Sequence, residues 1–500
     1  MPACKRRAPI DPGPELQIVG ESLRVRYNEP FPSKSALFDG NKVQLVAARG
    51  ETVAFQLLNR NTVQTSLTLK ANGVSVRAWN TDVVVAKRSS TSGIYGATHG
   101  PGPYPDVLAR LEDSHLVLTA DMRGFDLLFE LVVAPDADAG TFTGQLLVDH
   151  RLIPVELTVV DVTLPPAPPR VWAYYDPREL SWASLGSGTI EAPSEQEKLC
   201  IAMFREYGVA LSPDLTVAAW PARKELLGDF PYVPVRLPKD PALAGPEVSS
   251  WIDATKGSGK LPFAIPIDEP RKPEARAKVK ELATAVRAAG GGPTTFLYAV
   301  TAEPHPDFAD LIDLYITLKP KRDDTFPRWT YNGAPPRAGS FILDAQSPGA
   351  RTWGWLAARY NIPVWYVWDA LYWHDRHNRK DAPLPGRALT TEDAISFDDG
   401  EDHGNLDGVL ALPGADQMPC RPTLRLAAIR RGMQDRQLIE LAARCHPEET
   451  AKLVEQMVPR ALGDVPGKHV PGDGSPSWPS DDGAWEAARR KLLDLAACAK

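Results

Sequence analysis

Cysteine is scarce and poorly spaced for chemistry. Cys4, Cys200, Cys420, Cys445 and Cys498 are scattered over 500 residues without a C-x-x-C pair. That spacing excludes the usual zinc motifs and leaves unpaired thiols as the expectation at this size. No stretch approaches the roughly 18 apolar residues of a membrane-crossing helix, and no apolar signal-peptide core follows Met1. Basic charge is not in surplus. Lys and Arg number 56 against 63 Asp and Glu, for a net −7, which argues against nucleic acid as a partner. The Gly-rich phosphate loops and the G-x-S-x-G elbow are missing, so no cofactor is expected. The acidic loop around Asp398, Asp399, Glu401 and Asp402 lacks full calcium-ligand spacing. His374 and His377 lack a third ligand, so no metal is expected there either. The opening Ala3-Cys4 pair has the small-residue-then-cysteine form of a matured bacterial lipoprotein. If an upstream signal had been removed, Cys4 would carry a lipid anchor and the chain would be extracytoplasmic; otherwise this is an ordinary exposed tail.

What is present reads as two domains, multidomain β plus α/β. Residues 1–164 carry short apolar runs at 43–48, 52–59, 66–70, 74–79, 115–119, 125–133, 141–148 and 154–162, many separated by Gly, Pro, Asn or Asp. In the last run Val155, Leu157 and Val159 alternate with Glu156 and Thr158, the period of a half-buried strand. Strands at this spacing predict a β-sandwich. The proline-rich segment 164–169 is a stiff connector. Beyond it, in 165–500, apolar strands at 171–175, 209–212, 232–237, 262–267, 295–300, 314–318, 328–331 and 363–368 alternate with helical stretches. The clearest helix is 273–289, with Ala275, Val279, Leu282 and Val286 on one face and a glycine stop after it. Eight such units predict a (β/α)₈ TIM-like barrel. A further strand at 409–412, a long helix at 422–443 and a final helix at 484–497 complete the chain.

Barrel active sites lie at the C-terminal ends of the strands. The fourth predicted strand is apolar until it ends in Asp268-Glu269-Pro270. Pro270 favours an extended Glu269, and extended neighbours point to opposite sides, so the two carboxylates are expected to diverge. A proton donor and a stabilising negative charge are what glycosidic bond cleavage requires. Taken alone, the dipeptide reads first as a solvated loop start and acidic helix entry, and the context of the aromatics shifts that reading. Six of the 13 tryptophans, Trp329, Trp353, Trp355, Trp365, Trp368 and Trp373, fall between 329 and 373. Aromatic faces of this kind stack on the C–H faces of sugars. Trp353, Trp355 and Trp365 read as packing residues. Trp329, Tyr331, Trp368, Tyr372, Trp373 and His374 are candidates to line a substrate pocket.

Together these residues resemble glycoside hydrolase family 123. The resemblance is carried by Arg49-Gly-Glu-Thr-Val-Ala-Phe-Gln56, Ala139-Gly-Thr-Phe-Thr-Gly144, Ile267-Asp268-Glu269-Pro270, Trp329-Thr-Tyr331, Arg351-Thr-Trp-Gly-Trp355, the 365–373 aromatics and Gly408-Val-Leu-Ala-Leu-Pro-Gly414, in that order. It implies an exo-acting enzyme that removes a terminal β-linked N-acetylhexosamine, N-acetylgalactosamine in the characterised activity, by substrate-assisted retaining catalysis. Asp268 would orient the acetamido group, Glu269 would serve as acid/base, Tyr331 would help hold the acetamido group, and Arg351 would be pocket-lining or structural. Departures at 406–408, at Arg431-Gly-Met-Gln-Asp435 and in Asp369-Ala-Leu-Tyr-Trp373, which lacks an expected Asn, bear on the sugar more than on the reaction. A glycan or glycoconjugate is the expected partner. The alternatives are a glycosidase for a non-acetamido sugar with a different nucleophile, and a non-catalytic carbohydrate-binding surface protein.

Overall fold

The computed structural model describes residues 14–26, 28–60, 64–111, 116–117, 125–182, 191–375, 388–415, 417–467 and 475–498. Cys4 and His377 lie outside them. Among the described residues the N-terminal part holds ten strands: β1 (Leu16–Gly20), β2 (Val43–Arg49), β3 (Thr52–Asn59), β4 (Gln64–Leu69), β5 (Val74–Ala86), β6 (Gly102–Arg110), β7 (Leu116–Val117), β8 (Phe125–Val133), β9 (Gly140–Val148) and β10 (Arg151–Thr163). They form two five-stranded sheets, ordered β1-β3-β8-β5-β6 and β2-β10-β9-β4-β7. Inward residues of both sheets, among them Phe55, Leu127, Val155 and Leu157, make one buried core. The sequence reading missed β1 and β6, and both are edge strands. In β6, Pro103 and Pro105 break the usual strand signature, but proline is tolerated at a sheet edge.

After 164–170 comes a parallel sheet of eight short strands: β11 (Val171–Ala173), β12 (Val209–Leu211), β13 (Tyr232–Pro234), β14 (Leu261–Ala264), β15 (Leu297–Val300), β16 (Leu314–Ile316), β17 (Arg328–Tyr331) and β18 (Trp365–Val367). Their order, β12-β11-β18-β17-β16-β15-β14-β13, is chain order closed on itself and opened between β12 and β13. There the ladder shrinks to one bridge, Leu215 with Val235. Helices Glu195–Glu206, Pro241–Thr255, Pro273–Ala288 and Thr352–Tyr360 cover four of the connections. The expected regular (β/α)₈ repeat needs correcting. Only a single 3₁₀ turn, Ala309–Leu311, joins β15 to β16, and no helix joins β16 to β17. These links are short and carry Pro304, Pro306, Pro320 and Pro327, which oppose helix formation.

The two parts share a core. Val84, Tyr104, Val107 and Leu164 pack in one buried cluster with Trp353, Leu426 and Leu441. Buried ion pairs run alongside it. Asp106 binds Arg24 and Arg425, and Glu51 binds Arg431 and Arg489. Arg425 and Arg431 lie on the helix Leu424–Cys445, whose residues are buried on most sides. The cysteine expectation is overturned, because Cys200–Cys420 and Cys445–Cys498 are disulfides. The partners stand 220 and 53 residues apart in sequence, so only tertiary packing brings them together.

Candidate active site

Asp268 and Glu269 follow β14 by a few residues and stand at the C-terminal end of the parallel sheet. The expectation of an extended Glu269 fails, since its φ is +40°. This is the left-handed region that a side chain rarely adopts. Local bonds hold it there. The Arg271 N–H donates to the Glu269 carbonyl at 2.6 Å, a three-residue turn around Pro270. The Glu269 N–H donates to Thr301 Oγ1 at 2.7 Å. The Thr301 hydroxyl in turn donates to Asp268 Oδ1 at 2.5 Å. Thr301 is buried and follows the last residue of β15, the strand beside β14.

Tyr331, the last residue of β17, donates its phenol to Glu269 Oε1 at 3.0 Å. Burial pushes this phenol far above its ordinary pKa, and the Glu269 and Asp268 carboxylates add to the shift. It therefore stays a donor at any working pH. On the outer side Arg271 contacts Glu269 Oε2. Arg271 is exposed, so this pair is screened by solvent and easily exchanged. The neighbouring strand end holds Tyr366, which is stacked on Trp172 with centroids 4.4 Å apart. Its phenol is raised by burial and then by Asp214 and Asp268. Asp214 follows β12, and burial pushes its carboxyl up to about 7 against the opposing charge of Arg236. Glu303 lies beyond β15, takes a hydrogen bond from Thr317 after β16, and is shifted upward by burial and by Asp324.

The other candidates divide. Trp368, half-buried at the exit of β18, packs against Tyr372 and donates to Asp407 at 2.9 Å. Tyr372 and Trp373 are buried, and Trp373 donates to the Ala411 carbonyl at 2.8 Å. His374 pairs with buried Glu179 at 2.8 Å, a residue just past β11. Trp329 does not reach the strand ends. It is buried within the curled parallel sheet, edge-on to Tyr232 and Phe263 at 4.9 and 5.0 Å. Arg351 is also elsewhere, with its guanidinium buried against Asp435 and Glu486. Trp353, Trp355 and Trp365 are buried. A hollow of about 470 Å³ opens at the N-terminal ends of the parallel strands. Its lining includes Tyr232, Leu261, Leu297, Leu314 and Arg328, the first residues of their strands. Asp268 and Glu269 follow the other end of β14, so the hollow is set apart from the carboxylates.

Sequence reasoning counted Tyr366 with the 329–373 aromatics but missed Thr301, Asp214 and Glu303. Each sits on or just past the C-terminal end of a short parallel strand, and inspecting all eight ends for polar groups would have found them. Among the described residues no group of three His, Cys, Asp or Glu could hold a metal ion. No helix among them is long and apolar enough to cross a membrane.

No family model and no curated protein matches the chain. Among solved structures, a family 123 glycoside hydrolase from Clostridium perfringens, described for glycolipid glycan hydrolysis, aligns with a TM-score of 0.66 at 12% identity. The alignment covers 96% of this chain and 97% of that one, so the two share a fold over nearly their whole lengths. A glycosyl hydrolase family 2 member from Bacteroides cellulosilyticus aligns at 12% identity over 65% of this chain and 44% of its own, with a TM-score of 0.26. That score supports no argument about fold.

Proposed function

We propose that this protein is a glycoside hydrolase that removes a terminal β-linked N-acetylhexosamine, N-acetylgalactosamine foremost, by substrate-assisted retaining catalysis. The observation that carries the reading is the joint anchoring of Asp268 and Glu269 at the strand ends by Thr301 and Tyr331. The fold shared with a family 123 glycoside hydrolase supports it. In this mechanism Glu269 protonates the glycosidic oxygen as the C1–O bond breaks. The substrate's acetamido oxygen attacks C1 and closes an oxazolinium ring, while Asp268 accepts the acetamido N–H and offsets the growing positive charge. Glu269, now ionised, takes a proton from water. That water attacks C1, reopens the ring and leaves the β-configuration intact. The phenol of Tyr331 steadies the ionised form of Glu269 between the two steps.

The non-acetamido alternative needs a second carboxylate as nucleophile. Asp214 suits that task poorly, because burial keeps its carboxyl protonated up to about pH 7. The test is hydrolysis of 4-nitrophenyl β-N-acetylgalactosaminide and β-N-acetylglucosaminide, beside non-acetamido glycosides, by wild type, Asp268→Asn and Glu269→Gln. Turnover confined to acetamido sugars and at least about 100-fold lower in both variants is the expected result. Turnover of non-acetamido sugars would overturn the substrate-assisted mechanism. Silence across the panel would favour a binding protein.

A further inference from the structure

We infer that Thr301 is a positioning residue that ties the two carboxylates together, setting the left-handed backbone of Glu269 and the rotamer of Asp268 through one hydroxyl. The inference rests on the reading of Asp268 and Glu269 as the acid pair. A threonine hydroxyl has one proton to donate and two lone pairs. Here the proton goes to Asp268 Oδ1 at 2.5 Å, and a lone pair takes the Glu269 N–H at 2.7 Å. Both bonds are short and run in one direction, from the Glu269 amide through the hydroxyl to the carboxylate. Asp268 is itself exposed, so packing does not fix its side chain and the hydroxyl must. Glu269 sits at φ +40°, a conformation that persists only where surrounding bonds over-determine it.

Thr301 is buried, and β-branching limits its side chain to few rotamers. The hydroxyl is therefore presented from a rigid strand end. Tyr331 reaches the other side of Glu269 from β17, so Glu269 is held from two separate strands. Asp268 receives this bond on one oxygen, Oδ1, and its other oxygen is the one presented to an acetamido N–H. Losing the hydroxyl would release Asp268 and remove the partner of the Glu269 amide in one step. Thr301 touches no substrate in this account and acts through its two neighbours.

The test compares wild type, Thr301→Val and Thr301→Ser on 4-nitrophenyl β-N-acetylgalactosaminide, with thermal melts to confirm folding and a crystal structure of each variant. Valine keeps the shape and removes the hydroxyl, and serine keeps the hydroxyl. The expected result is a kcat about 100-fold lower in Thr301→Val, the scale of a small misplacement of reacting groups, with KM little changed. Thr301→Ser should recover most of kcat. A Thr301→Val enzyme as fast as wild type would overturn the inference, as would a Thr301→Ser enzyme as slow as Thr301→Val. If wild type cleaves nothing, the mechanism proposed above fails on its own, and the crystal structures still decide this point. A displaced Asp268 carboxylate and an altered Glu269 φ in Thr301→Val, both restored in Thr301→Ser, support the tie. An unchanged Thr301→Val geometry sinks it.

Discussion

Single side chains separate positions that look alike in the sequence. Tyr331 and Trp329 are two residues apart on β17 and both were pocket candidates. Tyr331 ends at Glu269, whereas Trp329 is locked among Tyr232 and Phe263 within the curled parallel sheet. Removing the Tyr331 hydroxyl deletes one hydrogen bond to a carboxylate, worth about 1.5 kcal/mol. Tyr331→Phe should lower kcat about tenfold and leave the melting temperature nearly unchanged. Arg351 should behave in the opposite way. Its guanidinium is buried against Asp435 and Glu486, and breaking such a pair from one side costs about 3–5 kcal/mol. Arg351→Ala should cut the melting temperature sharply, while the protein that remains folded keeps its kcat/KM. A specific loss of KM in a stable Arg351→Ala would place it at the substrate instead. The sequence left Arg351 open between a structural and a pocket-lining role, because chemical type was visible and direction was not.

At the level of elements, the strands of the parallel sheet were legible because each is a short apolar run between breakers. All eight predicted runs overlap an observed strand. The helices were less so, since two proline-bearing links make none. The sandwich shows how an element can hold a group that the sequence gives no reason to notice. Asp126 sits on β8 between the central strands of its sheet and is buried, and its Oδ1 has no hydrogen-bond partner. Burial pushes its carboxyl up to about 8 against the charge of Arg24. In the unfolded chain the same group ionises near pH 4. Between about pH 4 and pH 8 the folded form therefore holds a proton that the unfolded form has lost, and stability declines as pH rises. Asp126→Asn cannot ionise. Melts at stepped pH should show the variant gaining on wild type from pH 4 to pH 8 and levelling off above. A gap that stays flat or narrows would remove Asp126 from the pH response.

Over the whole molecule, the sandwich and the curled parallel sheet share one buried core. Their shared core includes Val84, Tyr104 and Val107 from one side and Trp353 and Leu426 from the other. The carboxylate of Glu51 pairs with Arg431 and Arg489, and that of Asp106 with Arg425, all three from the C-terminal helices. Without the sandwich Arg425 would lose its carboxylate partner, and Arg431 and Arg489 would keep only Asp435 and Glu486, beside a newly exposed apolar face. Residues 165–500 expressed alone should therefore be insoluble or lack a cooperative melt, whereas the full chain melts as one transition. A stable, cooperatively folding fragment would contradict this. Leu164, at the start of the proline-rich connector 164–169, is buried in this common core.

The sequence by itself determined the strand-rich first part, the eight parallel strands and the acidic pair at the end of the fourth. These rest on local periodicity and on breakers, which act over a few residues. Only the tertiary structure decided the left-handed turn at Glu269, the Thr301 and Tyr331 partners, the pairing of four cysteines and the burial of Arg351. Each depends on groups between 32 and 220 residues apart in the chain meeting in space. A hydrogen bond or an ion pair between such groups leaves no periodic trace in the sequence.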